Sequence, residues 1–127
     1  MQLGLGGSRF VPDDLWYGND TGVTILTMDD AEDIGRDATI GKICQTIGDG
    51  PIYITIDTDG VEPSSCTATA APGIGGTSPR DVQRSLQGLM SFDVIDPRYY
   101  ATGITPATAA NLMFELTGVI AASLIQD

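Results

Sequence analysis

Histidine is absent from the 127 residues. That removes imidazole general bases, Ser-His triads and every zinc site that needs an imidazole ligand. Cysteine is scarce: Cys44 and Cys66 cannot build a structural zinc cage alone and carry no disulfide-framework signature, so reduced thiols and a cytoplasmic setting are expected. Positive charge is scarce too, six Lys and Arg against seventeen Asp and Glu, a formal charge of -11. This argues against a nucleic-acid backbone or an anionic membrane as the main partner and is compatible with a metal or a positively charged substrate. Long hydrophobic runs are missing. The longest apolar stretch, 112–125, is interrupted by Glu115, Thr117, Gly118 and Ser123 and is too short to span a bilayer. The opening MQLGLGG has neither the basic n-region nor the apolar core of a signal peptide. No internal repeat, low-complexity tract or long linker is present.

What remains is globular in composition, 42 % hydrophobic and 18 % charged, and its length suits one domain over 1–127. Strand and helix signals alternate. Residues 2–5 form a short strand leaving through Gly4, Gly6 and Gly7, and 12–22 are polar and turn-rich, with room for one helical turn. VTILTM (23–28) is apolar and β-branched, a buried strand. A helix is predicted over 30–47, capped by Asp29 or Asp30 with Asp33 in its first turn, and with Ile40, Ile43, Cys44 and Ile47 on one apolar stripe. IYITID (52–57) is a strand, and 60–77 a Gly/Pro/Ser/Thr-rich loop. Ser78 caps a second helix with Pro79 at its first position and Asp81 at its third; Val82, Leu86 and Leu89 give its buried side. A short strand at 92–95 and a last helix over 105–124, with Leu112, Leu116, Val119, Ile120 and Leu124 on its apolar face, complete the chain. Such alternation predicts an α/β fold: three layers, a mostly parallel sheet and flanking helices. Sites in such sheets lie beyond the carboxyl ends of the strands.

At the end of IYITID stand Asp57 and Asp59. Two residues apart on a strand, their side chains share a face and can hold a hard divalent cation; the bland reading is a solvated strand end with an Asp59-Gly60 turn. Gly4, Gly6 and Gly7 do not complete a dinucleotide-binding loop, since the third glycine of that pattern would be Arg9, and a tight strand exit explains them. Cys66 has no base to activate it and Cys44 lies on a core stripe. Asp29, Asp30, Glu32 and Asp33 are explained by a helix start, and the aromatics Trp16, Tyr17, Tyr99 and Tyr100 are too scattered for a stacking platform.

GPIYITIDTDGVEP (50–63), followed by APGIGG (71–76), resembles the ureohydrolases, the family of arginase, agmatinase and guanidinobutyrase. Its members carry a strand ending S-x-D-x-D-x-x-D-P and then a Pro/Gly/Thr loop ending in Gly-Gly; Glu62 stands here where that pattern has Asp. QLGLG (2–6) is similar to the family's Q-x-G-I-R strand without its arginine, and DAEDIG (30–35) to an agmatinase-type helix start. DPRY (96–99) resembles the C-terminal strand exit, and GITP (103–106) through FEL (114–116) the last helix. The resemblance covers nearly the whole chain as the C-terminal half of such a domain, most like agmatinase.

The resemblance implies a partial arginase-like fold. It implies two manganese ions, bridged by a hydroxide that attacks a guanidinium carbon and releases urea, with Asp57 and Asp59 as metal ligands and a small cationic guanidino compound as substrate. The family's Gly-Gly-x-His and Asp-Ala-His-x-Asp motifs, which supply most other ligands, have no counterpart in a chain without histidine. A family glutamate three residues before the C-terminal proline is replaced by Val94, and the spacing from Asp93 to Pro97 is short. The family strand bearing the absent Asp-Ala-His-x-Asp motif lies between strands retained here. The expectation is therefore an agmatinase-like chain inactive alone; the alternatives are a non-catalytic, self-assembling structural protein derived from that fold, or a fragment, with Met1 directly before a family strand. Either the retained strands close up or a partner fills the gap: a homo-oligomer, a filament or a complementing chain. Copies of so acidic a chain should meet through apolar, edge-to-edge contacts that salt strengthens.

Overall fold

The computed structural model describes residues 1–7, 15–89, 94–100 and 106–123. The strands β1 (Gln2–Leu5) and β2 (Ile25–Thr27) pair in parallel from Gln2↔Ile25, and β3 (Ile52–Asp57) pairs in parallel with β4 (Val94–Tyr100) from Ile52↔Val94 to Asp57↔Tyr100. The helices are α1 (Trp16–Thr21), α2 (Met28–Ile34), α3 (Arg36–Ile47), α4 (Pro79–Gly88) and α5 (Pro106–Ser123). The fold is thus α/β with parallel pairing in every described ladder.

Along β3, Ile52 and Ile56 are buried while Tyr53, Thr55 and Asp57 are exposed. The period-two alternation puts one face on a core of Ile43, Leu86, Leu89, Leu112, Leu116 and Val119, drawn from α3, α4, α5 and the residue after α4. Each such side chain contributes roughly 1.5–3 kcal/mol when fully removed from water. The stripes predicted on the three helices are the ones that pack: Cys44, Ile47, Val82 and Ile120 lie against this cluster. Glu115 joins α5 to α4, accepting from Gln83 Nε2 at 2.6 Å and Gln87 Nε2 at 3.1 Å. Among the described residues no helix is long and apolar enough to cross a membrane.

Several sequence expectations are corrected. The helix expected over 30–47 is two helices, because Gly35 has φ 81°, a left-handed value that glycine adopts without a Cβ penalty. Neither Asp29 nor Asp30 is the cap. Thr27 Oγ1 accepts from Asp30 N–H at 3.2 Å and Asp30 Oδ2 accepts from Thr27 N–H at 3.0 Å, a capping box. That box also shortens the strand expected over 23–28 to Ile25–Thr27. DPRY lies inside β4 rather than at its exit; Pro97 is tolerated because β4, among the described residues, pairs only with β3 and is an edge. Phe92 and Asp93 of the strand expected at 92–95, Thr105 and Leu124 of the last helix, and 12–14 of the polar segment lie outside the described residues.

The four described strands make two separate two-stranded ladders, β1–β2 and β3–β4. Among the described residues the strands do not close up into one sheet, and β3, expected to be interior, has a neighbour on one side only.

The start of α4 carries a pH dependence. Ser78 Oγ accepts from Asp81 N–H at 3.1 Å, the Ser78 hydroxyl donates to Asp81 Oδ2 at 2.6 Å, and Arg36 Nε donates to Asp81 Oδ1 at 2.7 Å. The Ser78 hydrogen bond is the largest influence and lowers the Asp81 carboxyl below its usual range; burial, next in size, opposes it, and the Arg36 and Arg80 guanidinium groups lower it further. A depressed folded-state pKa gives stability that is complete above the unfolded value, about 3.9, and lost as pH falls through the folded value. In denaturant titrations from pH 7 to pH 2.5, Asp81→Asn is expected to be the less stable protein at neutral pH, with the difference closing below about pH 4. A gap independent of pH would contradict this.

Candidate functional site

The carboxyl end of β3 is where the two candidate aspartates stand. Asp57 closes the strand, exposed, and a 3-10 turn, Thr58–Gly60, follows at once. The two carboxylates therefore do not share a strand face, as their spacing suggested. A local hydrogen bond associates them instead: Asp57 Oδ1 accepts from the Asp59 N–H at 3.0 Å. This capping interaction turns the chain sharply and aims Asp59 inward. Asp59 Oδ1 and Thr58 Oγ1 are both buried, and neither has a hydrogen-bond partner among the described residues. Leaving a buried carboxylate oxygen unpaired costs on the order of 1–3 kcal/mol or more, and in native proteins an ordered water, an ion or a ligand commonly completes such an atom. A cation is the natural complement. Among the described residues no group of three or more His, Cys, Asp or Glu is placed to hold a metal ion. The described residues present a pair of candidate oxygen donors and not a full shell.

Three backbone segments converge beside this pair. Thr77 N–H donates to Gly60 O at 2.8 Å and Glu62 N–H to Thr77 O at 2.9 Å, forming the parallel bridge Val61↔Thr77. A Cβ at Gly76 would fall 2.8 Å from Glu62 N and from Val61 C, so only glycine lets the strands approach. The exit of β1 joins the same knot, since a Cβ on Gly6 would lie 2.2 Å from Gly75 O. The β1 glycines thus form a tight strand exit, with Gly4 at φ 89° and Gly7 at φ 76°. Glu62 ties the knot: its Oε2 accepts from the successive amides of Gly75 and Gly76, both at 3.1 Å. Sequence reasoning noticed Glu62 only as a departure from a pattern. The signal available was an acid directly before Pro63, with a Gly-Gly pair thirteen residues on, a carboxylate within reach of a two-amide nest.

Both cysteines are free; Cys66 is buried, and burial pushes its thiol pKa up, which leaves it a neutral packing group. Cys44, half-buried on the core stripe, has Sγ 3.9 Å from Gly88 O.

The arginase family model matches residues 1–118. The chain belongs to the arginase family. Its arginase-family relatives include guanidinopropionase of Pseudomonas aeruginosa, 29 % identical over 97 % of this chain and 41 % of that protein. Agmatinase of an Enterobacter species is 35 % identical over 84 % of this chain and 37 % of its own length. The solved structure of proclavaminate amidinohydrolase from Streptomyces clavuligerus superposes with a TM-score of 0.86 at 27 % identity, covering 96 % of this chain and 43 % of that one. Arginase from Bacillus cereus shares the fold, with a TM-score of 0.75 at 21 % identity. The fold is accordingly a partial arginase-like one, and the chain spans about two-fifths of the length of the curated relatives it matches.

Proposed function

We propose that this chain, one domain similar to the C-terminal half of a ureohydrolase, carries the Asp57/Asp59 share of a manganese site whose family reaction hydrolyses a guanidino compound to an amine and urea. The observation that carries the reading is the unpartnered, buried Asp59 Oδ1 beside Asp57 at the carboxyl end of a parallel strand. Hard carboxylate oxygens suit manganese. Bound there, the metal pair supplies water activation and a positive charge facing the developing negative charge of the reaction. Asp57 and Asp59 hold one side of that pair, and the remaining ligands come from polypeptide outside this chain. The substrate class is a small cationic guanidino compound, in keeping with the charge of -11. Two free cysteines support a cytoplasmic setting.

A second reading is assembly without catalysis. Leu3 and Leu5 on β1 are 37 % exposed and Tyr53 on β3 is 52 % exposed, and both ladders pair on one side only among the described residues. Parallel sheets are normally covered on both faces. A homo-oligomer, a filament or a complementing chain would supply the cover.

One titration separates the readings: manganese added to the chain, followed by the electron paramagnetic resonance of free Mn²⁺ and by light scattering. Weak binding that Asp57→Asn and Asp59→Asn each reduce by on the order of tenfold, about 1.4 kcal/mol, supports the metal site. Self-association unaffected by manganese and by both variants, with no ion bound, supports assembly alone.

A further inference from the structure

We infer that Glu62 is a positioning residue that sets the Asp59 carboxylate from across the loop, an inference that rests on the proposed metal role of Asp59. The connection runs through consecutive hydrogen bonds. The Glu62 carboxylate holds the Gly75 and Gly76 amides at 3.1 Å each. That fixes the following residue, Thr77, whose N–H reaches Gly60 O at 2.8 Å and whose carbonyl takes Glu62 N–H at 2.9 Å. Gly60 is the last residue of the 3-10 turn, and the turn is closed by Val61 N–H donating to Thr58 O at 3.1 Å. Asp59 lies inside that turn, with its own N–H on Asp57 Oδ1. The Glu62 carbonyl further anchors the loop by accepting from Ser65 and Cys66 N–H at 2.9 and 3.2 Å.

Glu62 therefore works at a distance: it faces two backbone amides and has no contact with either aspartate's carboxylate in this hydrogen-bond pattern. An ionised carboxylate is the right group for it. Successive amides converging on one oxygen form a charge-assisted pair that a neutral acceptor matches less well. With the clamp released, the 58–60 turn keeps its sequence and its capping aspartate but loses the strand-like brace at Gly60.

The test measures amide hydrogen exchange in the intact, metal-free chain, with Ser78→Ala as a control that weakens the α4 cap and leaves the clamp alone. Glu62→Ala is expected to accelerate exchange at Gly75 and Gly76 and, with them, at Asp59, on the order of tenfold, with Leu116 and Val119 unchanged. Glu62→Asp is expected to recover part of the protection, and Ser78→Ala to leave Asp59 as it is. Should Glu62→Ala also expose the α5 amides, Glu62→Gln, which keeps length and an acceptor oxygen, gives the reading in its place. Faster exchange confined to Gly75 and Gly76 overturns the proposal, because Glu62 would then hold only its own loop. Manganese resonance provides the second arm: Glu62→Ala should weaken Mn²⁺ binding and Ser78→Ala should not. If the wild-type chain binds no Mn²⁺, the metal reading falls by itself, while Asp59 exchange still decides whether Glu62 positions that residue.

Discussion

Purified free of host ureohydrolases and supplied with manganese, the chain is expected to release no urea above background from agmatine, arginine or other guanidino compounds. In the proposed reading Asp57 and Asp59 offer one side of a metal site, and no third His, Cys, Asp or Glu joins them among the described residues. The sequence holds no histidine to complete the set. Groups that stabilise developing charge are worth about 2.7–4 kcal/mol each, or 10²–10³ in rate. Losing several leaves less than an ordinary assay detects, since each 1.36 kcal/mol is about tenfold. Colorimetric urea release over hours, with and without a polypeptide that supplies the absent ligand motifs, checks the expectation. Turnover by the chain alone would overturn it.

Gly6→Ala is expected to be the most damaging single methyl addition. Its Cβ would sit 2.2 Å from Gly75 O, 2.8 Å from Gly75 C and 3.1 Å from Gly76 N, all backbone atoms of a segment braced by Glu62. A flexible side-chain tip could swing aside; these atoms move only if the whole knot loosens. Overpacking of this kind costs about 1–3 kcal/mol, and a clash against fixed backbone belongs at the upper end. Gly41→Ala is the matched control: it lies within α3, has nothing within 4 Å of the added Cβ, and should stabilise by roughly 0.5–1 kcal/mol. Urea-denaturation midpoints of the two variants should move in opposite directions. A Gly6→Ala midpoint at or above wild type would show that the knot at the β1 exit is looser than its distances imply.

Much of this molecule is written locally. Ile43, Leu86, Leu112, Leu116 and Val119 are buried as their helical spacing required, because a 3.6-residue period can bury only one stripe. The Ser78-Pro79-Asp81 start of α4 and the β-branched run of β3 were legible for the same reason: each depends on neighbours within a few residues. Asp57 and Asp59 stood out as a pair, and the family resemblance that singled them out is shown by the family match. What the sequence did not determine depends on contacts between distant segments. The break at Gly35 needs a backbone angle that composition does not reveal, and the Thr27 box competes with two adjacent aspartates for one helix start. Asp59 reaches its inward position by a turn closed at Val61 and braced from Thr77, so its unpaired oxygen, the Glu62 clamp and the Gly6–Gly75 contact exist only after 4–7, 60–62 and 75–77 have met. The division into two ladders is likewise tertiary: β-propensity states that a segment will extend, while which edge it pairs with is set by the hydrogen-bonding neighbours present in space.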